Sequence, residues 1–100
     1  MKYGMSCIKK KKVKIRFFGS SDCKDCLEVF VILEKSQVDY KYIDTDDDRD
    51  EIQDFCDEQN VNQLPHLQFL NNDSHLIVEH IGSINEEEFH LYLIKYFPDY

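Results

Sequence analysis

The sequence predicts an α/β domain: a four-stranded mixed sheet flanked by helices. Three observations predict it. Short alternating apolar runs and longer stretches of helical period follow one another in the order βαβαββα. The joints between them fall on turn chemistry, at Gly19-Ser20-Ser21-Asp22, at Asn60 to Pro65 and at Asn71-Asn72-Asp73-Ser74. The first two strands are joined through a helix, so they run parallel with a right-handed crossover, whereas the short turn between the last two makes them antiparallel.

Each element has its own signal. Residues 1–11 read as a flexible basic tail and residues 12–97 as one domain. Residues 12–18, with Val13-Lys14-Ile15-Arg16-Phe17-Phe18, alternate as strand one. Asp22 or Ser21 can cap a helix over 24–36, whose run Leu27-Glu28-Val29-Phe30-Val31-Ile32-Leu33 suits a largely buried helix. Val38 to Asp44 alternates β-branched and aromatic residues as strand two. Asp46 to Asp48 put negative charge where the next helix begins. Ile52, Phe55, Cys56 and Gln59 then fall on one narrow helical face. His66 to Leu70 is strand three and His75 to Ile81 strand four, with Gly82 as the break. Ser83-Ile84-Asn85-Glu86 matches a capping box, and a last helix over 84–96 carries Phe89, Leu93 and Tyr96 on one stripe.

Composition bounds the function. One hundred residues with thirteen aromatics make one domain with one core. No apolar run is long enough for a membrane helix, and residues 1–12 lack the apolar stretch of a secretory signal, so a cytoplasmic protein is expected. Every charged residue before Asp22 is basic, while Asp44 to Glu58 holds nine carboxylates against Arg49 alone. The net charge of −8 argues against nucleic-acid binding, and the Lys9–Lys12 run reads as a solvated tail.

The chemistry centres on Cys23-Lys24-Asp25-Cys26. The spacing puts two sulfurs within reach of one disulfide or one metal ion. It also falls where a strand ends and a helix begins. Free backbone N–H groups and the positive end of the dipole lower a cysteine pKa there from about 8.5 into the range of roughly 3.5–7.5. Cytosolic cysteines read better as redox or metal chemistry than as a structural framework. Lys24 favours a Cys23 thiolate and Asp25 opposes it. Cys56, on the apolar stripe of helix two, reads as an inert buried thiol, and Cys7 as a free thiol in the tail. His66 could add a third zinc ligand to the two sulfurs, whereas His75, His80 and His90 have no metal-type spacing. The alternating aspartates from Asp44 to Asp50 fail as a calcium loop, because Arg49 stands at the turn glycine and Phe55 at the bidentate glutamate.

This order, with Cys-x-x-Cys at the first strand-to-helix turn, resembles the thioredoxin superfold. Leu64-Pro65 before strand three looks like its cis-proline loop, and Ile81-Gly82-Ser83 like its glycine turn before the last helix. The resemblance implies a cis bond at Pro65, an isomer that proline alone supplies cheaply. Within the superfold the chain resembles a glutaredoxin, because one strand precedes Cys23 and 42 positions separate Cys23 from Pro65. Lys24-Asp25 replaces the frequent Pro-Tyr of glutaredoxins, Ser20 a lysine, Gln63-Leu64 the usual Thr-Val, and Gly82-Ser83 a Gly-Gly turn.

The resemblance implies a small thiol–disulfide oxidoreductase with no resident cofactor or metal. Cys23 would be the nucleophile and Cys26 the resolving cysteine. Lys24, Gln63, Leu64, Pro65, Gly82, Ser83 and Asn85 would bind substrate. The expected partners are a disulfide-containing protein or low-molecular-weight thiol, with glutathione or thioredoxin reductase as electron donor. A monomer is expected, with no nucleic-acid or membrane partner. The alternatives are a protein-binding module of this fold with little redox turnover, and metal or iron–sulfur ligation through Cys23.

Overall fold

The computed structural model describes residues 13–98. The expected tail, with Cys7, lies outside them. The elements are β1 (Lys14–Gly19), α1 (Lys24–Ser36), β2 (Asp39–Asp44), α2 (Asp50–Glu58), β3 (His66–Leu70), β4 (Leu76–Ile81) and α3 (Glu86–Tyr96). The strands lie in the order β2-β1-β3-β4. β1 pairs parallel with β2 and antiparallel with β3, and β3 pairs antiparallel with β4. This is the mixed sheet that the element order predicts.

Strand alternation sends successive side chains to opposite faces, and the two faces differ. On one, Ile15, Phe17, Leu67 and Phe69 meet Val29 and Leu33 of α1 and Phe89 and Leu93 of α3 in the larger core. On the other, Phe18 and Ile43 meet Ile52, Phe55 and Cys56 of α2. β3 is central and covered on both sides, so all five of its residues are buried. Truncating one of the fully buried phenylalanines to alanine costs about 3–5 kcal/mol.

Five local expectations change. Asp22 and Ser21 do not cap α1. Its N-cap is Cys23, whose Sγ accepts from the Cys26 N–H at 3.2 Å, while the Cys23 N–H is turned back to the Ser20 carbonyl. α1 is also amphipathic rather than largely buried, for Leu27 and Val31 face outward at 66% and 55% exposure. Asp46 to Asp48 precede α2 in a loop, where Asp47 accepts from the Arg49 backbone and guanidinium, and the helix dipole meets Asp50 and Glu51 instead. The capping box is not Ser83 with Glu86. Asn85 Oδ1 accepts from the Glu88 N–H at 2.8 Å, and the Glu88 carboxylate accepts from the Asn85 N–H. Ile84 is buried in the same core as Phe89, an arrangement that fixes the chain before Asn85 and starts the helix at Glu86. Phe97, rather than Tyr96, then completes the buried stripe of α3.

Candidate active site

β1 delivers the site. Its last residue, Gly19, is followed by a turn through Ser20–Asp22, and Cys23 starts α1. Cys23 and Cys26 are joined in a disulfide with their Cα atoms 5.3 Å apart. Cys23 is half-exposed and Cys26 is buried. This asymmetry gives a reagent one sulfur to reach and keeps the second behind it. Lys24 and Asp25 are both exposed in the first turn.

Gly19 matters by its size. A Cβ there would lie 3.0 Å from Cys26 Sγ, 3.1 Å from the Tyr42 ring and 3.2 Å from the Phe17 ring. Phe17, Phe30 and Tyr42 form a mutual aromatic cluster, with centroids 4.8–5.2 Å apart. Burial first, and the charges of Asp44 and Asp46 second, push the Tyr42 hydroxyl pKa upward. Thr45 latches the acidic loop to this strand end, since its N–H and hydroxyl both donate to the Gly19 carbonyl at 2.9 and 3.0 Å. Asp44 and Asp46 therefore act on a ring that lies close to Gly19, beside Cys26 Sγ.

β3 brings the second part. Phe18 of β1 pairs with His66, so the Gly19 turn and the segment before His66 leave the same end of neighbouring strands. The Leu64–Pro65 peptide is cis. The Gly82 N–H donates to the Pro65 carbonyl at 2.8 Å and ties the glycine turn to the proline loop. Gly82 has φ +98°, a conformation that an L side chain rarely adopts, and the Gln63 amide lies beside it. The fold thus gathers Gln63, Leu64, Pro65 and Gly82. Asn85 lies just beyond, but its side chain is engaged in capping α3. The Ser83 carbonyl meets the His80 ring at 2.8 Å.

His66 does not join the sulfurs. Its Nε2 donates to Glu79 Oε1 at 2.6 Å, its ring leans on Phe18 on the α2 side, and its buried Nδ1 has no partner. Among the described residues no three His, Cys, Asp or Glu side chains gather to hold a metal ion, so the sequence-based zinc set is not built. Cys56 is the buried residue of α2, and burial pushes its thiol pKa up, as expected of an inert thiol. His66 instead belongs to a polar network that alternation alone does not announce. Gln68 accepts from Arg16 at 2.9 Å and donates to Gln59 at 2.8 Å and to Glu79 at 3.2 Å. Burial pushes the Glu79 carboxyl up, but the hydrogen bonds from His66 and Gln68 outweigh it and hold the group below its ordinary pKa. The signal in the sequence was two polar residues, His66 and Gln68, at alternate positions of an otherwise apolar strand.

No protein-family model and no curated protein matches this sequence. Solved structures do. A mutant thioredoxin from Halobacterium salinarum superposes with a TM-score of 0.72 at 18% identity, over 88% of this chain and 77% of that one. Thioredoxin-2, described as a component of malaria parasite protein secretion machinery, gives 0.69 at 15% identity over 87% and 85%. Thioredoxin O2 from Arabidopsis thaliana in its oxidised state gives 0.65 at 17% identity over 90% and 80%. No helix among the described residues is long and apolar enough to cross a membrane. With Cys-x-x-Cys at the first helix, a cis-proline before β3 and the glycine turn after β4, the chain has the thioredoxin fold.

Proposed function

We propose that this protein is a small thiol–disulfide oxidoreductase with a glutaredoxin-like minimal core. One observation carries the reading: a disulfide between a half-exposed and a buried cysteine at a helix N-terminus, on the thioredoxin fold. In the reduced form, the Cys23 thiolate attacks one sulfur of a substrate disulfide. The substrate S–S bond breaks, a mixed disulfide forms, and one substrate sulfur leaves as thiolate. Cys26, having lost its proton to solvent, attacks Cys23 Sγ. This releases the second substrate thiolate and closes Cys23–Cys26, so the substrate gains two electrons and the protein loses two.

Leu64, before the cis-proline, offers backbone to an extended substrate, with Gln63, Pro65 and Gly82 as walls. Lys24, Ser83 and the start of α3 at Asn85 flank the approach. Glutathione or thioredoxin reductase returns the two electrons to a monomer working in the cytoplasm. The test is turnover of an insulin disulfide with glutathione and its reductase, run beside thioredoxin reductase. One donor system should support turnover, Cys23→Ser should abolish it, and Cys26→Ser should trap a mixed disulfide. Wild-type turnover by Cys23→Ser would sink the proposal.

A further inference from the structure

The α2-side face of the sheet bears a cavity of about 420 Å³, and a second of about 190 Å³ that shares Arg16 and Lys41 with it lies at the sheet end, where Ile15 and Tyr40 also line it. The larger falls in the size range of ligand sites and has Ile43, Ile52 and Phe55 as apolar walls. Arg16 and Lys41 are direct partners in the β1–β2 pairing, and Lys14 lines the smaller cavity two residues earlier on β1. Like charges opposite one another destabilise a sheet. Lys14 stands opposite Asp39 in that register, but among the described residues no carboxylate stands opposite Arg16 or Lys41 on a neighbouring strand. Among the described residues, none of these three cations forms an ion pair. Arg16 gives one hydrogen bond to Gln68 and lies 5.1 Å over the Phe55 ring, and Lys14 reaches the Asn72 carbonyl. Glu51 and Asp39 line the cavities without pairing to them.

The chain's own leading segment cannot neutralise this face, because residues 1–12 contain five lysines and no carboxylate. The protein carries a net charge of −8, yet here it collects cations around an apolar floor. A like-charge pair kept on an edge strand beside an apolar floor, with no ion pair among the described residues, marks a binding surface. We propose that this groove docks an acidic segment of a partner protein, with an apolar or aromatic anchor between Ile52 and Phe55 and flanking carboxylates on Arg16 and Lys41. The surface is on the sheet face opposite α1 and the buried Cys26, so it recruits a partner independently of disulfide exchange.

The probe is a fluorescein-labelled decapeptide of alternating Glu-Glu and Leu-Phe pairs, followed by anisotropy against the full chain. A second peptide carries Lys in place of Glu. The acidic peptide should bind, weakening about tenfold in Lys41→Glu and about tenfold between low and physiological salt, as an exposed charge contact requires. The lysine peptide should not bind. Lys41 is exposed and its replacement removes the like-charge pair with Arg16, so the variant should hold or raise its melting temperature and keep its disulfide turnover. Equal binding by wild type and Lys41→Glu, binding of the lysine peptide, or no binding of the acidic one would each overturn the proposal. A concentration-dependent dimer that Lys41→Glu dissolves would overturn it in favour of a second copy of this chain.

Discussion

Gly19→Ala tests the packing that holds the dithiol. The added methyl would meet three heavy atoms at 3.0–3.2 Å, where carbon contacts ordinarily sit at about 3.5–4.0 Å. The three neighbours differ in how far they can yield. Cys26 Sγ is tied to Cys23, and Phe17 is fully buried in the larger core. The half-buried Tyr42 ring is the one free to swing outward, at the expense of its contacts with Phe17 and Phe30. Overpacking of this kind costs about 1–3 kcal/mol. Alanine restricts the unfolded chain relative to glycine and returns about 0.4–1 kcal/mol. At the centre of these ranges the net loss is about 1.3 kcal/mol, or a melting temperature lower by about 5–10 °C for a domain this size. Urea unfolding monitored by far-UV circular dichroism measures it, and the slope with denaturant should not change. The oxidised form should lose more than the reduced form, because a free Cys26 side chain can turn away from the methyl. A change within about 0.5 kcal/mol in the oxidised form, the size of an ordinary surface substitution, would refute the packing argument.

Three further outcomes follow from particular contacts. Asn85→Ala should cost about 1 kcal/mol in thermal or urea unfolding through loss of the α3 cap, while Ser83→Ala should stay within about 0.5 kcal/mol; the reverse ranking would restore the Ser83 box. Glu79 has a depressed folded pKa, so its contribution is present above the unfolded value of about 4.3 and is lost as pH falls through the lower folded value. Glu79→Gln should flatten that acid limb of the stability–pH curve, and an unchanged limb would count against the His66–Glu79 contact. Tyr40 donates to Glu34 at 2.6 Å, which with burial raises its pKa to about 12, so one tyrosine should ionise late in an ultraviolet titration and Glu34→Gln should bring it back toward 10.

The fold was legible because it rests on periods. Alternation in Ile15–Phe17 and Leu67–Phe69, and the helical spacing of Val29, Ile32 and Leu33, point these core residues the right way before any contact is known, whereas Leu27, Val31 and Tyr96 do not follow the expected faces. Element starts were less legible, for a physical reason. Ser83 with Glu86 and Asn85 with Glu88 both satisfy the capping pattern, two residues apart. The choice is made by Ile84 going into the core and by the Gly82–Pro65 hydrogen bond, both of which require the tertiary structure. Cys23 as an N-cap was hidden in the same way, because a thiol is a weak acceptor and the ranking of caps favours Asp22.

The site divides along the same line. Cys23, Cys26, Pro65 and Gly82 could be read from the sequence because each has a distinctive residue chemistry at a fixed place in the element order. Gly19 could not, since its role is the absence of a side chain beside a sulfur seven residues later and a ring on the next strand. The network of Arg16, Gln59, His66, Gln68 and Glu79 could not either, for its members come from β1, the end of α2, β3 and β4. Yet it follows from one rule applied to β3. Alternation sends His66 and Gln68 to the same face, and a buried polar pair requires partners from the strands on both sides and the helix above. Arg16 on β1, Glu79 on β4 and Gln59 at the end of α2 are polar groups those three elements supply. The cation that satisfies Gln68 from the β1 side is also the one that borders the groove, so the polar network orients Arg16 at one edge of the proposed docking surface.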